Sequence, residues 1–138
     1  MIISICGDIC SECPRYKATV SNNTEELKTL AELWYRLGFR DHIAEPEEMR
    51  CAGCQKEKFC SYGLTGCDHL SGLSTCGECS LFPCEKNNAV FTRSKRNEEI
   101  CRNKCEAHVF QQYKKAFFTK EKTLSAIFEV KFHRKPNL

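Results

Sequence analysis

Cys6-Gly7-Asp8-Ile9-Cys10-Ser11-Glu12-Cys13-Pro14 sets three thiols in one short stretch rich in turn formers. Gly7 permits unusual backbone angles and Pro14 limits helix continuation, so the stretch reads as a ligand knuckle. Two further knuckles follow, Cys51-Ala52-Gly53-Cys54 and Cys76-Gly77-Glu78-Cys79, each with a glycine that relieves the turn. A Cys-x2-Cys knuckle offers two thiolates from one turn, and two knuckles complete a tetrahedral site. The 21 residues between Cys54 and Cys76 are close to the spacing of a zinc ribbon, so these two are expected to share one ion. Cys6, Cys10 and Cys13 need a fourth donor from elsewhere, for which Cys60, Cys67 and Cys84 are available. The expected cofactor is Zn2+, two to three ions; an iron–sulfur cluster is the alternative, since thiolates bind both.

Composition points the same way. The chain has 138 residues, and its 41% hydrophobic fraction includes 12 cysteines. Setting the thiols aside leaves a lean apolar complement for a self-sufficient core, and a second source of stability is expected. Disulfides and metals are the two candidates for a cysteine-dense chain. Met1-Ile2-Ile3-Ser4-Ile5-Cys6 has neither a positively charged region nor an apolar run of signal-peptide length, and no later stretch is long enough to span a membrane. Reduced thiols in a cytoplasm, with metal as the staple and no membrane partner, is the resulting expectation.

Around the knuckles the chain is patterned unevenly. Leu27, Leu30, Ala31, Trp34 and Leu37 fall on one face of a helix running from Asn22 or Thr24 to Leu37, with polar residues at its start and Gly38 at its end. Glu45-Pro46-Glu47-Glu48-Met49 predicts one short helical turn. Residues 51–84 hold six Gly or Pro and little periodicity, so they need cross-links to hold one shape. After Ala89 a polar stretch leads to a helix expected from about Glu98 to Phe118. Phe128 to His133 alternates like a strand, although 123–128 reads equally well as helix. The expected fold is a small metal-stabilised cysteine-rich domain, mainly α or α+β with irregular metal-bound loops. Residues 1–90 would form the metal-binding domain and 91–138 a basic helical extension packed on it.

Charge divides along that line. Residues 1–89 carry 9 Lys/Arg against 13 Asp/Glu, and residues 90–138 carry 12 against 5. Arg93, Lys95, Arg96, Arg102, Lys104, Lys114 and Lys115 could meet phosphates while Tyr113 or Phe117 stacks on bases, the footprint of nucleic-acid binding. A solvated basic helix explains the same residues more simply. Cys101, Cys105 and His108 are spaced to face one ion from a single helix surface, with ordinary helix packing as the competing reading.

No phosphate-cradling glycine loop, nucleophile elbow or His-Glu-x-x-His pair is present. The Cys-x3-Cys-x2-Cys spacing also occurs in enzymes that cleave S-adenosylmethionine on an open four-iron cluster. Here Glu12 stands where those usually carry an aromatic residue, and the alternating strands and helices of their partial barrel are lacking. A closed four-thiolate site leaves no position for substrate, so stability is its default role. The expected function is that of an interaction module with a protein partner, and an enzyme is the less favoured reading.

The order Cys6-Gly-x-x-Cys10-Ser-Glu-Cys13-Pro14, an amphipathic helix ending near Trp34, Cys51-x-Gly-Cys54, Cys67, Cys76-x-Glu-Cys79 and Phe82-Pro83-Cys84-Glu85 resembles the uncharacterised prokaryotic family catalogued as domain of unknown function 3795. The resemblance covers roughly residues 3–90. It implies a cysteine-rich, zinc-binding domain in a microbial cytoplasm with no established activity. The family commonly carries a further cysteine shortly before the position of Cys67 and an Ile-Arg pair beside it. This chain has Cys60-Ser-Tyr-Gly-Leu-Thr-Gly-Cys67 instead, which leaves the pairing of the middle cysteines open.

Overall fold

The structure is a computed structural model that describes residues 1–53, 60 and 62–138. Six α-helices lie among the described residues: α1 (Pro14–Val20), α2 (Thr24–Arg36), α3 (Pro46–Met49), α4 (Glu85–Lys104), α5 (Ala107–Phe117) and α6 (Lys120–Phe132). Three short 3-10 turns accompany them at Cys10–Glu12, Asp68–Leu70 and Cys76–Glu78. The fold is mainly helical. The α+β alternative is corrected, since the only β pairing among the described residues is an isolated bridge between Ile3 and Ile9.

Local chemistry explains where the first helices begin. Pro14 does not block a helix as expected; it opens α1, because the first turn has no use for the missing N–H. α2 starts at Asn23, whose side chain accepts the Glu26 N–H at 3.0 Å, and the acids Glu25 and Glu26 suit the positive end of its dipole. Its apolar face buries Leu27, Leu30 and Ala31 against Ala18 of α1, Ala44 and Met49 of α3. Gly38, at φ +79°, takes the left-handed position just beyond the helix.

The C-terminal half departs from the sequence reading in three places. α4 begins at Glu85, well before the expected start, because Cys84 and Asn87 cap it reciprocally: the Cys84 N–H donates to Asn87 Oδ1 at 2.8 Å. The single helix expected to Phe118 is broken at Cys105 and Glu106, both extended, so that α5 turns back and packs Tyr113 on Cys101 and Leu37. Phe128 to Phe132 is helical rather than a strand, and His133 ends the helix in the left-handed region at φ +55°. Leu124 and Phe128 are fully buried and Phe132 partly so, a spacing of four that puts all three on one face of α6.

α6 is pressed against both turns that carry cysteines. A Cβ on Gly7, whose φ is +98°, would stand 2.9 Å from Leu124 Cγ and 3.0 Å from the Lys120 carbonyl oxygen. A Cβ on Gly77 would stand 2.6 Å from the Leu124 carbonyl oxygen. Gly77 therefore serves close helix approach, and the turn-relieving role expected of it is secondary. Around these contacts Cys6, Leu64, Cys76, Phe82, Val90, Phe91, Leu124 and Phe128 form one core cluster spanning both halves of the chain. Backbone bonds stitch it further, from Ile9 N–H to Ala116 O at 2.9 Å and from Cys76 N–H to Ile5 O at 2.9 Å.

Gly77→Ala is expected to lower stability by about 1–3 kcal/mol, since the nearest obstacle is helix backbone that cannot swing aside. Gly66→Ala, whose Cβ would meet nothing within 4 Å, is expected to change it little. Urea unfolding of the two variants checks this, and equal midpoints would contradict it.

Candidate metal centres and an adjoining cavity

The N-terminal knuckle and Cys51 are brought together by α1. The 3-10 turn at Cys10–Glu12 closes with the Cys13 N–H donating to Cys10 O at 3.0 Å, and Cys13 then caps α1. The backbone N–H groups of Tyr16 and Arg15 favour the thiolate form of its sulfur. From the same helix Arg15 Nε donates to Met49 O at 2.8 Å, and its Nη2 to Glu48 O and Arg50 O, both at 3.3 Å. The Cys51 N–H donates to Thr19 Oγ1 at 2.9 Å. Segment 48–51 is thus tied along α1, and Cys51 reaches the electrostatic neighbourhood of Cys13. Cys10, Cys13 and Cys51 are all buried. Burial, together with the Cys51 charge, pushes the Cys13 thiol up to about 11. Cys54, the second half of that knuckle, lies outside the described residues.

Cys6 stands apart from the other two thiols of its motif. It packs in the main core cluster, with Ser4 Oγ at 3.4 Å from its sulfur. Burial first, and the Asp8 charge after it, push its thiol up to about 12. Asp8 in turn forms a buried ion pair with Lys120, Oδ1 to Nζ 2.7 Å. Burial raises the Asp8 carboxyl above its ordinary value although Lys120 works against it. Burial opposes the Lys120 charge, but Asp8 and Cys6 outweigh it and hold the ammonium above the usual lysine value. Lys120 Nζ also donates to Ser94 Oγ at 3.3 Å and to the Phe117 carbonyl.

A second group of thiols gathers around Cys76. Cys84, Cys79 and Cys67 all act on it electrostatically, and the Asn87 side chain favours its thiolate form. Burial dominates and pushes the Cys76 thiol up to about 11. The turn carrying Cys76 and Cys79 is rigid: the Glu78 carboxylate accepts N–H groups of Ser74 and Thr75 at 2.7 and 2.8 Å, and Cys79 N–H closes on Cys76 O at 3.1 Å. Cys51 thus acts electrostatically on Cys13, and Cys67, Cys79 and Cys84 act on Cys76. Cys60 is half-buried against the main core beside Tyr62.

No three Cys, His, Asp or Glu side chains among the described residues converge closely enough to hold an ion as they stand. The fit to zinc lies in the donor chemistry: a buried set of thiols at Cys10, Cys13 and Cys51, and a half-buried set around the buried Cys76, on tightly hydrogen-bonded turns.

The C-terminal expectations are altered. Cys101 and Cys105 do meet, with sulfurs 3.2 Å apart. His108 does not join them: the helix breaks between, and its ring is 77% exposed beside Glu106. Tyr113 cannot stack on a base, being 1% exposed with its hydroxyl accepting the Trp34 Nε1–H at 3.0 Å. Phe117 is half-buried in edge contacts with Trp34 and Tyr113. Arg102 is paired with Glu98 and Glu99. No helix among the described residues is long and apolar enough to cross a membrane.

A cavity of about 950 Å³ opens beside the first thiol group. Cys6, Cys10, Cys13, Cys51 and Cys60 line it with the Asp8–Lys120 pair, and so do Arg15, Trp34, Phe39 and Arg40 and the acids Asp41 and Glu48. Three residues that matter here escaped the sequence reading. Asp8 sits inside a cysteine motif that drew attention to its sulfurs, Lys120 lies far along the chain among many lysines, and Asn87 was legible only as the fourth position of a Cys-x-x-Asn cap.

A model of a protein family of unknown function, DUF3795, matches residues 2–89, and the chain belongs to that family. No curated protein and no solved structure matches it. Helices α5 and α6, which complete the core around the cysteine turns, lie beyond the matched residues.

Asp8→Asn strips the buried Lys120 ammonium of its counter-charge and is expected to cost roughly 3–5 kcal/mol. The double replacement Asp8→Leu with Lys120→Met is expected to recover most of that loss. Chemical denaturation of the single and double variants measures it, and a double variant no better than the single one would contradict the pairing.

Proposed function

We propose that this member of a family without an assigned activity is a zinc-binding domain whose metal is structural. One ion is held by Cys67, Cys76, Cys79 and Cys84. A second is held by Cys10, Cys13 and Cys51, with Cys54 as the fourth donor given by the sequence motif. The observation that carries the reading is the buried Cys76 thiol on a turn locked by the Glu78 carboxylate, with Cys67, Cys79 and Cys84 acting on it electrostatically. Four sulfurs in one neighbourhood repel one another as thiolates and lie idle as thiols. A bound dication would reverse that balance and hold them deprotonated. A site closed by four thiolates has no open position, so its contribution is to order the loops rather than to activate a substrate.

Under this reading the work of the domain lies on the surface those loops hold, as an interaction module for a protein partner. The basic helix α4 offers less to nucleic acid than its charge suggests, because Arg102 is paired with Glu98 and Glu99 and the aromatic residues near it are spent in the core. A second reading, an iron–sulfur cluster, draws on Cys6, Cys10, Cys13 and Cys51 all lining one cavity.

Elemental analysis and an absorption spectrum of anaerobically purified protein decide between them. Two zinc ions per chain, no visible absorbance, and one ion in Cys76→Ser are the expected results. Removing the metal with a chelator is expected to lower the melting temperature by many degrees. Iron with inorganic sulfide would replace this reading with the second, and protein that folds stably without metal would overturn both.

A further inference from the structure

The cavity beside the first thiol group holds a feature that a structural metal does not use. Arg15 and Arg40 both line it, and Arg40 makes no hydrogen bond or ion pair among the described residues. Arg15 is fixed in place by the carbonyls of residues 48–50 and lies 5.5 Å over the Trp34 ring, yet no carboxylate among the described residues pairs with it. The nearby acids are engaged elsewhere: Asp41 and Glu48 take His42 from either side, at 2.7 and 3.2 Å. Burial, and then the Arg15 charge, lower the Arg40 pKa, with Glu48 opposing. Two guanidiniums that line one cavity without an ion pair to a carboxylate among the described residues form an arrangement that an anion relieves, and the open guanidinium fork of Arg40 matches carboxylate and phosphate oxygens.

The remaining walls indicate what the anion is attached to. Trp34 and Phe39 meet edge to face at 6.3 Å and present an aromatic surface beside the arginines. At about 950 Å³ the cavity exceeds the needs of a bare inorganic ion and falls in the range of sites for organic ligands. We propose that this cavity binds a small organic anion, its carboxylate or phosphate held by Arg15 and Arg40 and its apolar body lying against Trp34 and Phe39.

Trp34 is the one tryptophan of the chain, so its emission reports on the cavity directly. Metal-replete full-length protein is titrated with benzoate, phenyl phosphate and, as an uncharged control, benzyl alcohol. A saturable change in emission with benzoate or phenyl phosphate, at least tenfold weaker with benzyl alcohol, is expected, and the tighter of the two anions identifies the headgroup. Arg40→Ala is expected to weaken that binding at least tenfold while its melting temperature and metal content stay at the parent's values. Arg96→Ala, on the exposed side of α4, is expected to bind as the parent does. No saturable response to either anion, or an Arg40→Ala variant that binds undiminished, would overturn the proposal. Metal content measured on the same samples keeps this outcome separate from the zinc reading.

Discussion

A single ammonium group gathers three parts of this chain. Lys120 Nζ reaches the Asp8 carboxylate in the N-terminal knuckle, Ser94 Oγ on α4 and the Phe117 carbonyl at the end of α5. Taking such a pair out of water is costly, and the attraction repays that cost only when the remaining hydrogen-bonding capacity is also met. Here it is met by groups from separate elements, so the charge is satisfied in one relative placement of knuckle, α4 and α5. The absence of a side chain at Gly7 is what lets the start of α6 come close enough for the pair to form.

From that anchor the arrangement of the thiols follows. With the knuckle fixed, the direction of α1 is set by the capping of its first turn at Cys13 and Pro14. Arg15 and Thr19 on α1 then bind the backbone of residues 48–51, and Cys51 arrives beside Cys13 as a consequence of those bonds. At the far end of α6, Gly77 seats the Cys76 turn on the helix, and Lys131 Nζ donates to Glu78 O at 2.8 Å. α6 thereby positions both thiol groups although it lies outside the residues that define the family.

What could be read from the sequence was whatever local pattern decides. α2 was legible because a full apolar face repeats at helical period and Asn23 and Gly38 mark its ends. The first half of α4 was missed because its buried side consists of Asn87, Val90, Phe91 and Ser94, two of them polar, and because a cysteine caps the helix. α6 was ambiguous because Phe128, Val130 and Phe132 alternate like a strand, whereas Val130 is exposed and the buried spacing is four. The family and the knuckles followed from cysteine spacing, which is local. The placement of segment 48–51 along α1 did not, because it depends on contacts such as Arg15 with residues 48–50, and the Asp8–Lys120 pair joins positions with no shared periodicity.

The lean apolar content finds its counterpart in how the core is divided. Burial is split into three small clusters, and two of them include cysteines among their buried residues. Segment 51–84, with five glycines and one proline, gives up about 1–2 kcal/mol of backbone entropy per ordered residue and has few large side chains to offset it. Sulfur serves such a segment twice. As thiols, Cys76 and its neighbours add modest apolar contact, and as thiolates on a cation they would close loops whose closure the bare chain cannot sustain. The burial that pushes Cys13 and Cys76 up to about 11 also means that zinc must displace protons to bind. Under the zinc reading, folding, metal capture and proton release are therefore one coupled equilibrium, and the loops around Cys76 gain their order from that coupling more than from their own packing.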